Sequence, residues 1–250
     1  MPRLKPFAAT RDVKTVRREK DAWTAGGRTE EGARKLVQSH YRRESFAALE
    51  GQDNLYLPMP STSGKNRLPL ALGEQLRGDF GGELLKSQIA RPEAARQSKH
   101  KTSFAQKIGD PVTFTLRPSA VAALKSKLEE GKKNLVLVDD VQNTGESQVV
   151  LRKTLAAAGV EVHAVAVIAA SETRMASARD LTRMSGKIAA KLDLDAAKVE
   201  PVISDAFDGH YKQFTNYAER SLTSEPKARL VWEYAQGQSA ALRQARRLDE

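Results

Sequence analysis

The run Leu135-Val136-Leu137-Val138 has no polar break, and it ends in the acidic pair Asp139-Asp140. A strand with one face in water alternates polar and apolar residues. An unbroken apolar run is covered on both faces, as in parallel sheets. The next residues, Val141 to Ser147, open a helix that continues to Ala158, where Gly159 stops it. A second apolar strand is predicted over Val160 to Ala170. Strand, turn, helix, glycine and strand make a βαβ unit, so the fold class is α/β.

The rest of the chain is arranged around this unit. Residues 1–27 are rich in Lys and Arg and end in Ala25-Gly26-Gly27, which reads as a basic arm. Thr29 caps a predicted helix within 28–50, stopped by Gly51. The core, 51–172, begins with the short strand Leu55-Tyr56-Leu57. Pro58-Met59-Pro60 ends that strand, a polar loop from Ser61 to Asn66 follows, and then a helix carries Leu68, Leu72 and Leu76. Leu84-Leu85 starts another short strand or helix. Residues 91–110 read as a long polar loop with Arg91, Arg96, Lys99 and Lys101, and a loop of that length in a domain is usually functional or disordered. A strand over 112–116 and a helix over 118–130 precede the βαβ unit. Residues 173–250 form a mostly helical extension, with a short strand expected at 201–204. The whole is a central, mainly parallel sheet of about five strands flanked by helices, with helical N- and C-terminal additions.

A parallel strand delivers its last residues to the carboxyl edge of the sheet, where open α/β folds bind ligands. Two carboxylates there accept hydrogen bonds from sugar hydroxyls or hold a divalent cation. Asn143 to Ser147 lie where a helix begins, so free backbone N–H groups and the positive dipole end make a phosphate cradle. Gly145 permits close backbone approach, and Thr144 and Ser147 add hydroxyl donors. Ribose-binding carboxylates beside a phosphate nest suit a ribose 5-phosphate group. The same acidic pair would suit a Walker B strand only with a Gly-rich Lys-Ser/Thr loop upstream. Met59 to Asn66 lacks both the first Gly and the Ser/Thr. A response-regulator receiver needs a following phospho-acceptor Asp and a strand-end Lys, and the chain does not supply that order. The plainest structural reading is that Asp139 caps a turn.

Leu135 to Ser147 resembles the phosphoribosyl-pyrophosphate (PRPP) motif of type I phosphoribosyltransferases. The match lies at Val138, Asp139, Asp140, Val141, Thr144, Gly145 and Ser147. Asn143 stands where the motif has its first Thr, and Glu146 replaces a small residue. The Glu146 carboxylate opposes a phosphate unless it points to solvent. The similarity spans roughly residues 50–170 and is nearest to the ComF-type branch. It implies Mg²⁺-dependent displacement of pyrophosphate from PRPP by a nitrogen nucleophile such as a nucleobase. On that likeness Asp139 and Asp140 hold the ribose hydroxyls, directly or through the metal. Asn143, Thr144, Gly145, Glu146 and Ser147 form the 5′-phosphate loop. Ser61, Thr62, Ser63, Gly64 and Lys65 receive pyrophosphate, with Lys65 or Arg67 offsetting charge. Arg91, Arg96, Lys99 and Lys101 belong to a lid over the leaving group, each with a solvated surface role as the rival reading. The bond before Pro60 is one where a cis peptide carries little penalty. Phe207, Tyr211, Phe214 and Tyr217 either stack on a base or simply pack a helix. His100 and His210 read as surface residues.

The 41 Lys and Arg exceed the 31 Asp and Glu, giving a net charge of +10. That balance suits phosphate-rich partners. It leaves a second class of function open: a non-catalytic PRPP- or nucleotide-sensing module, or an accessory of DNA uptake or transfer, that meets nucleic acid through its basic ends. The absence of Cys excludes disulfides, thiol nucleophiles and Cys-ligated zinc. No apolar run is long enough to span a membrane and no secretory signal is visible, so a cytoplasmic location is expected. The expected assembly is a homo-oligomer, a dimer.

Overall fold

The computed structural model describes residues 6–61, 65–85, 89–93, 112–131, 133–171, 174, 176–210 and 212–246. Five strands form one sheet: β1 (Phe7–Thr10), β2 (Asn54–Pro58), β3 (Glu83–Leu84), β6 (Asn134–Gln142) and β7 (Ala164–Ala170). Their order is β1-β7-β6-β2-β3, and every pairing is parallel. A separate antiparallel hairpin joins β4 (Ala90–Glu93) to β5 (Thr113–Leu116).

Successive side chains of a strand point to opposite faces, and the two cores follow that period. Leu55, Leu57, Leu135, Leu137, Val165 and Val167 face α4 (Pro118–Gly131), α5 (Glu146–Ala157) and the hairpin. Tyr56, Val136, Val138, Ala166 and Ile168 face α1 (Val13–Ala25), α2 (Glu30–His40) and α3 (Leu68–Phe80). Both faces are covered, as the unbroken apolar strands require.

From β2 the chain passes through α3 to β3 on one side. From β6 it passes through α5 to β7 on the other. The direction therefore reverses between β2 and β6, whose register pairs Leu57 with Leu137 and Pro58 with Val138. Such a switch point leaves a crevice outside the carboxyl ends of the two strands.

Several expectations need correction. The described part of residues 1–27 is no loose arm. Phe7 to Thr10 is an edge strand on β7, and Val13 and Val16 of α1 are buried. Thr29 does cap α2, accepting from the Gly32 N–H, but that helix ends at His40 and a 3₁₀ helix follows over Arg43–Leu49. β6 runs on past the acidic pair to Gln142 instead of ending there, and α5 starts at Glu146. The strand expected at 201–204 lies inside α7 (Ala196–Phe207). Val199, Ile203, Ala206 and Phe207 are its buried face, a helical spacing that outweighs Pro201. The start of the expected long loop, Ala90–Glu93, is strand, and residues 94–111 lie outside the described residues. No cis peptide bond occurs among the described residues.

Four helices close the chain: α6 (Ala178–Leu192), α7, α8 (Lys212–Ser221) and α9 (Glu225–Arg246). They share a core of their own that includes Met184, Ile203, Phe207, Phe214 and Tyr234. Lys153 of α5 joins this unit to the sheet by donating to the Asp205 and Ala206 carbonyls at the end of α7. No helix among the described residues is long and apolar enough to cross a membrane.

Candidate functional site

Two loops meet at the switch point. The first leaves β2 at Pro58 and enters α3. The second leaves β6 at Gln142 and enters α5. The Met59 N–H donates to the Val138 carbonyl at 2.7 Å, so the first loop starts hydrogen-bonded to the acidic strand. Farther along, the Asn66 amide nitrogen donates to Asp140 Oδ2 at 2.8 Å, while Asn66 Oδ1 accepts from the Leu68 N–H at the start of α3. The loop read as the pyrophosphate loop is thus anchored to β6 at both ends, through Val138 at its start and Asp140 at its end. Thr62, Ser63 and Gly64 lie outside the described residues; Ser61 lines the crevice, Arg67 is exposed on its rim, and Lys65 is exposed. Arg67 also lies 3.6 Å from Glu30.

The two carboxylates point to opposite sides of β6. Asp139 is half-buried; its Oδ2 accepts from the Gln148 amide of α5 at 2.9 Å, and its Oδ1 accepts from the Asp140 N–H. Asp140 is 5% exposed and turns toward α1. Lys20 of α1 donates to Oδ2 alongside Asn66, and the Val141 N–H donates to Oδ1. Burial alone would push this carboxyl up. The Lys20 ammonium and the two other donors outweigh burial and hold it below the usual carboxylate range.

These partners decide how the acidic pair suits the divalent ion implied by the resemblance. Asp140 already holds a full counter-charge, and Asp139 faces the opposite helix. The described residues contain no group of three or more His, Asp or Glu that could hold a metal. In this arrangement the pair does not form a shared chelate.

Gly145 ends the second loop with φ 68° and ψ 5°, in the left-handed region, and no side chain caps α5 there. The first N–H groups of a helix have no acceptor within the helix itself and point out of its N-terminal end. Ser171, just after β7, ties down the loop: its N–H donates to the Gln142 carbonyl and its hydroxyl to the Asn143 carbonyl. Thr144 is buried, while Asn143 and Ser147 are half-buried. Glu146 is 4% exposed and does not point to solvent. A carboxylate on the first turn is favoured by the helix dipole, and an incoming phosphate meets its charge.

A cavity of about 120 Å³ opens beside the first loop. Leu57, Leu85 and Leu151 contribute to its apolar floor, and Ser61, Asn66 and Arg67 to its rim.

Other expected participants lie elsewhere. Arg91 is on β4, opposite Thr115. Arg96, Lys99, His100 and Lys101 lie outside the described residues, as does Tyr211. Phe207 and Phe214 are fully buried and stack on each other with centroids 5.9 Å apart. They pack the helical core, and Tyr217, 41% exposed, is on its outside. His210 is buried among them, not on the surface.

Sequence reasoning missed Lys20, Asn66 and Gln148. Gln148 carried a faint signal, three residues after the helix-opening Gly145. Lys20 carried none, because only the packing of α1 on β6 brings it to the site. Comparison with protein-family models, curated proteins and solved structures returned no match.

Proposed function

We propose that the switch-point crevice binds the ribose 5-phosphate group of PRPP, in a fold of the type I phosphoribosyltransferase kind, and transfers phosphoribose to a nitrogen nucleophile such as a nucleobase. The observation that carries this reading is the meeting of the two loops at the carboxyl ends of adjacent parallel strands. One loop follows the acidic pair at the end of β6 and leads into the glycine-opened start of α5. The other carries hydroxyl and cationic side chains.

In this reading Asp139 accepts from a ribose hydroxyl. The amides that open α5, with Thr144 and Ser147, hold the 5′-phosphate. Ser61, Lys65 and Arg67 face the diphosphate. The bond from the anomeric carbon to the diphosphate breaks, the bond to the acceptor nitrogen forms, and that nitrogen loses its proton. Side chains do little covalent work, so positioning and charge neutralisation supply the catalysis. Mg²⁺, when bound, neutralises charge on the leaving diphosphate.

The direct assay is pyrophosphate release from PRPP and Mg²⁺ across a panel of nucleobases. Release with at least one base, lost in Asp139→Asn, is the expected result. PRPP binding without release for any base favours a second reading, a ligand-sensing module. The inward-facing Glu146 beside the phosphate nest supports that second reading. Such a module that meets nucleic acid through its basic segments shows an affinity falling steeply with salt.

A further inference from the structure

We infer that Lys20 is a ligand-positioning residue that stands in for a divalent cation at Asp140. The inference rests on the ribose 5-phosphate reading and adds to it a residue from outside the motif.

The geometry is specific. Lys20 is in the middle of α1, far in sequence from Asp140, and its side chain is 14% exposed. Its ammonium donates to Asp140 Oδ2, the same oxygen that accepts from Asn66 of the first loop. An ammonium has three N–H donors, and Asp140 is the one acceptor found for it among the described residues. The ammonium and Asn66 of the first loop share one oxygen of Asp140, so the charge sits where that loop is tied to β6, and a ribose hydroxyl or phosphate oxygen that reaches this tie would meet its remaining donors. A cation bridging a carboxylate and a ligand's oxygens is the usual service of a bound metal. Here a side chain occupies that position, so the ribose phosphate needs no metal on Asp140. Mg²⁺ then enters only as a companion of the diphosphate.

Ribose 5-phosphate separates the two roles, because it has no diphosphate to chelate a metal. Its affinity is measured by titration calorimetry in EDTA and in Mg²⁺. The native protein is expected to bind equally in both. Lys20→Met is expected to bind roughly tenfold or more weakly in EDTA, the loss of a charged hydrogen bond, and to regain affinity with Mg²⁺ because Asp140 is freed. Lys20→Arg is expected to stay near native. Native binding that collapses in EDTA, or Lys20→Met binding like native in EDTA, overturns the inference.

Should Lys20→Met fail to fold, Lys20→Met/Asp140→Asn takes its place, since it leaves no buried charge unpaired. Weak binding that ignores Mg²⁺ is then expected, and native-like binding overturns the inference. Failure of the native protein to bind either ribose 5-phosphate or PRPP overturns the function reading instead. Mn²⁺ titration followed by electron paramagnetic resonance still tests Lys20 in that case. One site gained in Lys20→Met and absent from the native protein supports the substitution of ammonium for metal. No gain overturns it.

Discussion

Gly145 turns the chain from β6 into α5 with a positive φ, and a side chain there is strained whatever space surrounds it. Gly145→Ala is expected to cost about 1–2 kcal/mol of stability, the penalty of the left-handed region for a residue with a Cβ. Urea unfolding reads that loss, and ligand affinity should fall with it as the amides shift. Lys20 and Asp140 form a buried pair, and removing one member strands the other charge. Lys20→Met alone is expected to lose about 3–5 kcal/mol, and Lys20→Met/Asp140→Asn distinctly less, a difference seen by comparing the two unfolding curves. At this scale the sequence was readable where the chemistry is local. Asp139, Thr144 and Gly145 follow one another along one strand and turn. The partners of the acidic pair were not readable, because Lys20 and Asn66 reach Asp140 across 120 and 74 positions of chain.

Among the elements, α5 has two duties. Its first turn opens the proposed phosphate nest, and its middle is buried against the C-terminal helices. Burial depresses the Lys153 ammonium to about 8, partly offset by Asp205 and Asp208. The folded state gives up that proton near pH 8 and the unfolded chain near 10.5, so the folded state binds fewer protons between those values. Stability is therefore expected to rise with pH across that window, and Lys153→Met should remove this slope in unfolding measured at successive pH values. His210 behaves in the same sense at lower pH. Burial, then Lys153 and Arg152, hold it well below the ordinary 6.5, so the unfolded chain takes up the proton first. Stability falls as pH drops below about 6.5, and His210→Phe is expected to flatten that fall. The helices themselves were legible from their apolar spacing, with one failure. Pro201 between apolar residues imitated a strand, and only the buried face shared with Val199 and Phe207 shows the helix.

For the whole molecule, the doubly covered parallel sheet was legible because its strands are apolar without alternation. The edge was not. Phe7 to Thr10 is too short to stand out beside a basic segment, and β1 exists because β7 offers it a parallel partner. Deleting residues 1–27 removes an edge strand, the buried Val13 and Val16, and Lys20. Loss of cooperative unfolding, or a melting point lowered by several degrees, is the expected outcome in a thermal melt; a loose arm would leave the melt unchanged. The four C-terminal helices keep a separate core yet meet α5 through Lys153.

The central claim is that the crevice between β2 and β6 takes a ribose 5-phosphate group. Calorimetric titration of PRPP with Mg²⁺ into the native protein and into Asp139→Asn tests it most directly. Asp139→Asn leaves the Lys20–Asp140 pair in place, so it probes the ribose contact without stranding a charge. Saturable binding that weakens by roughly tenfold or more in the variant is the expected result. No heat with the native protein, or equal affinity in the two, would contradict the account.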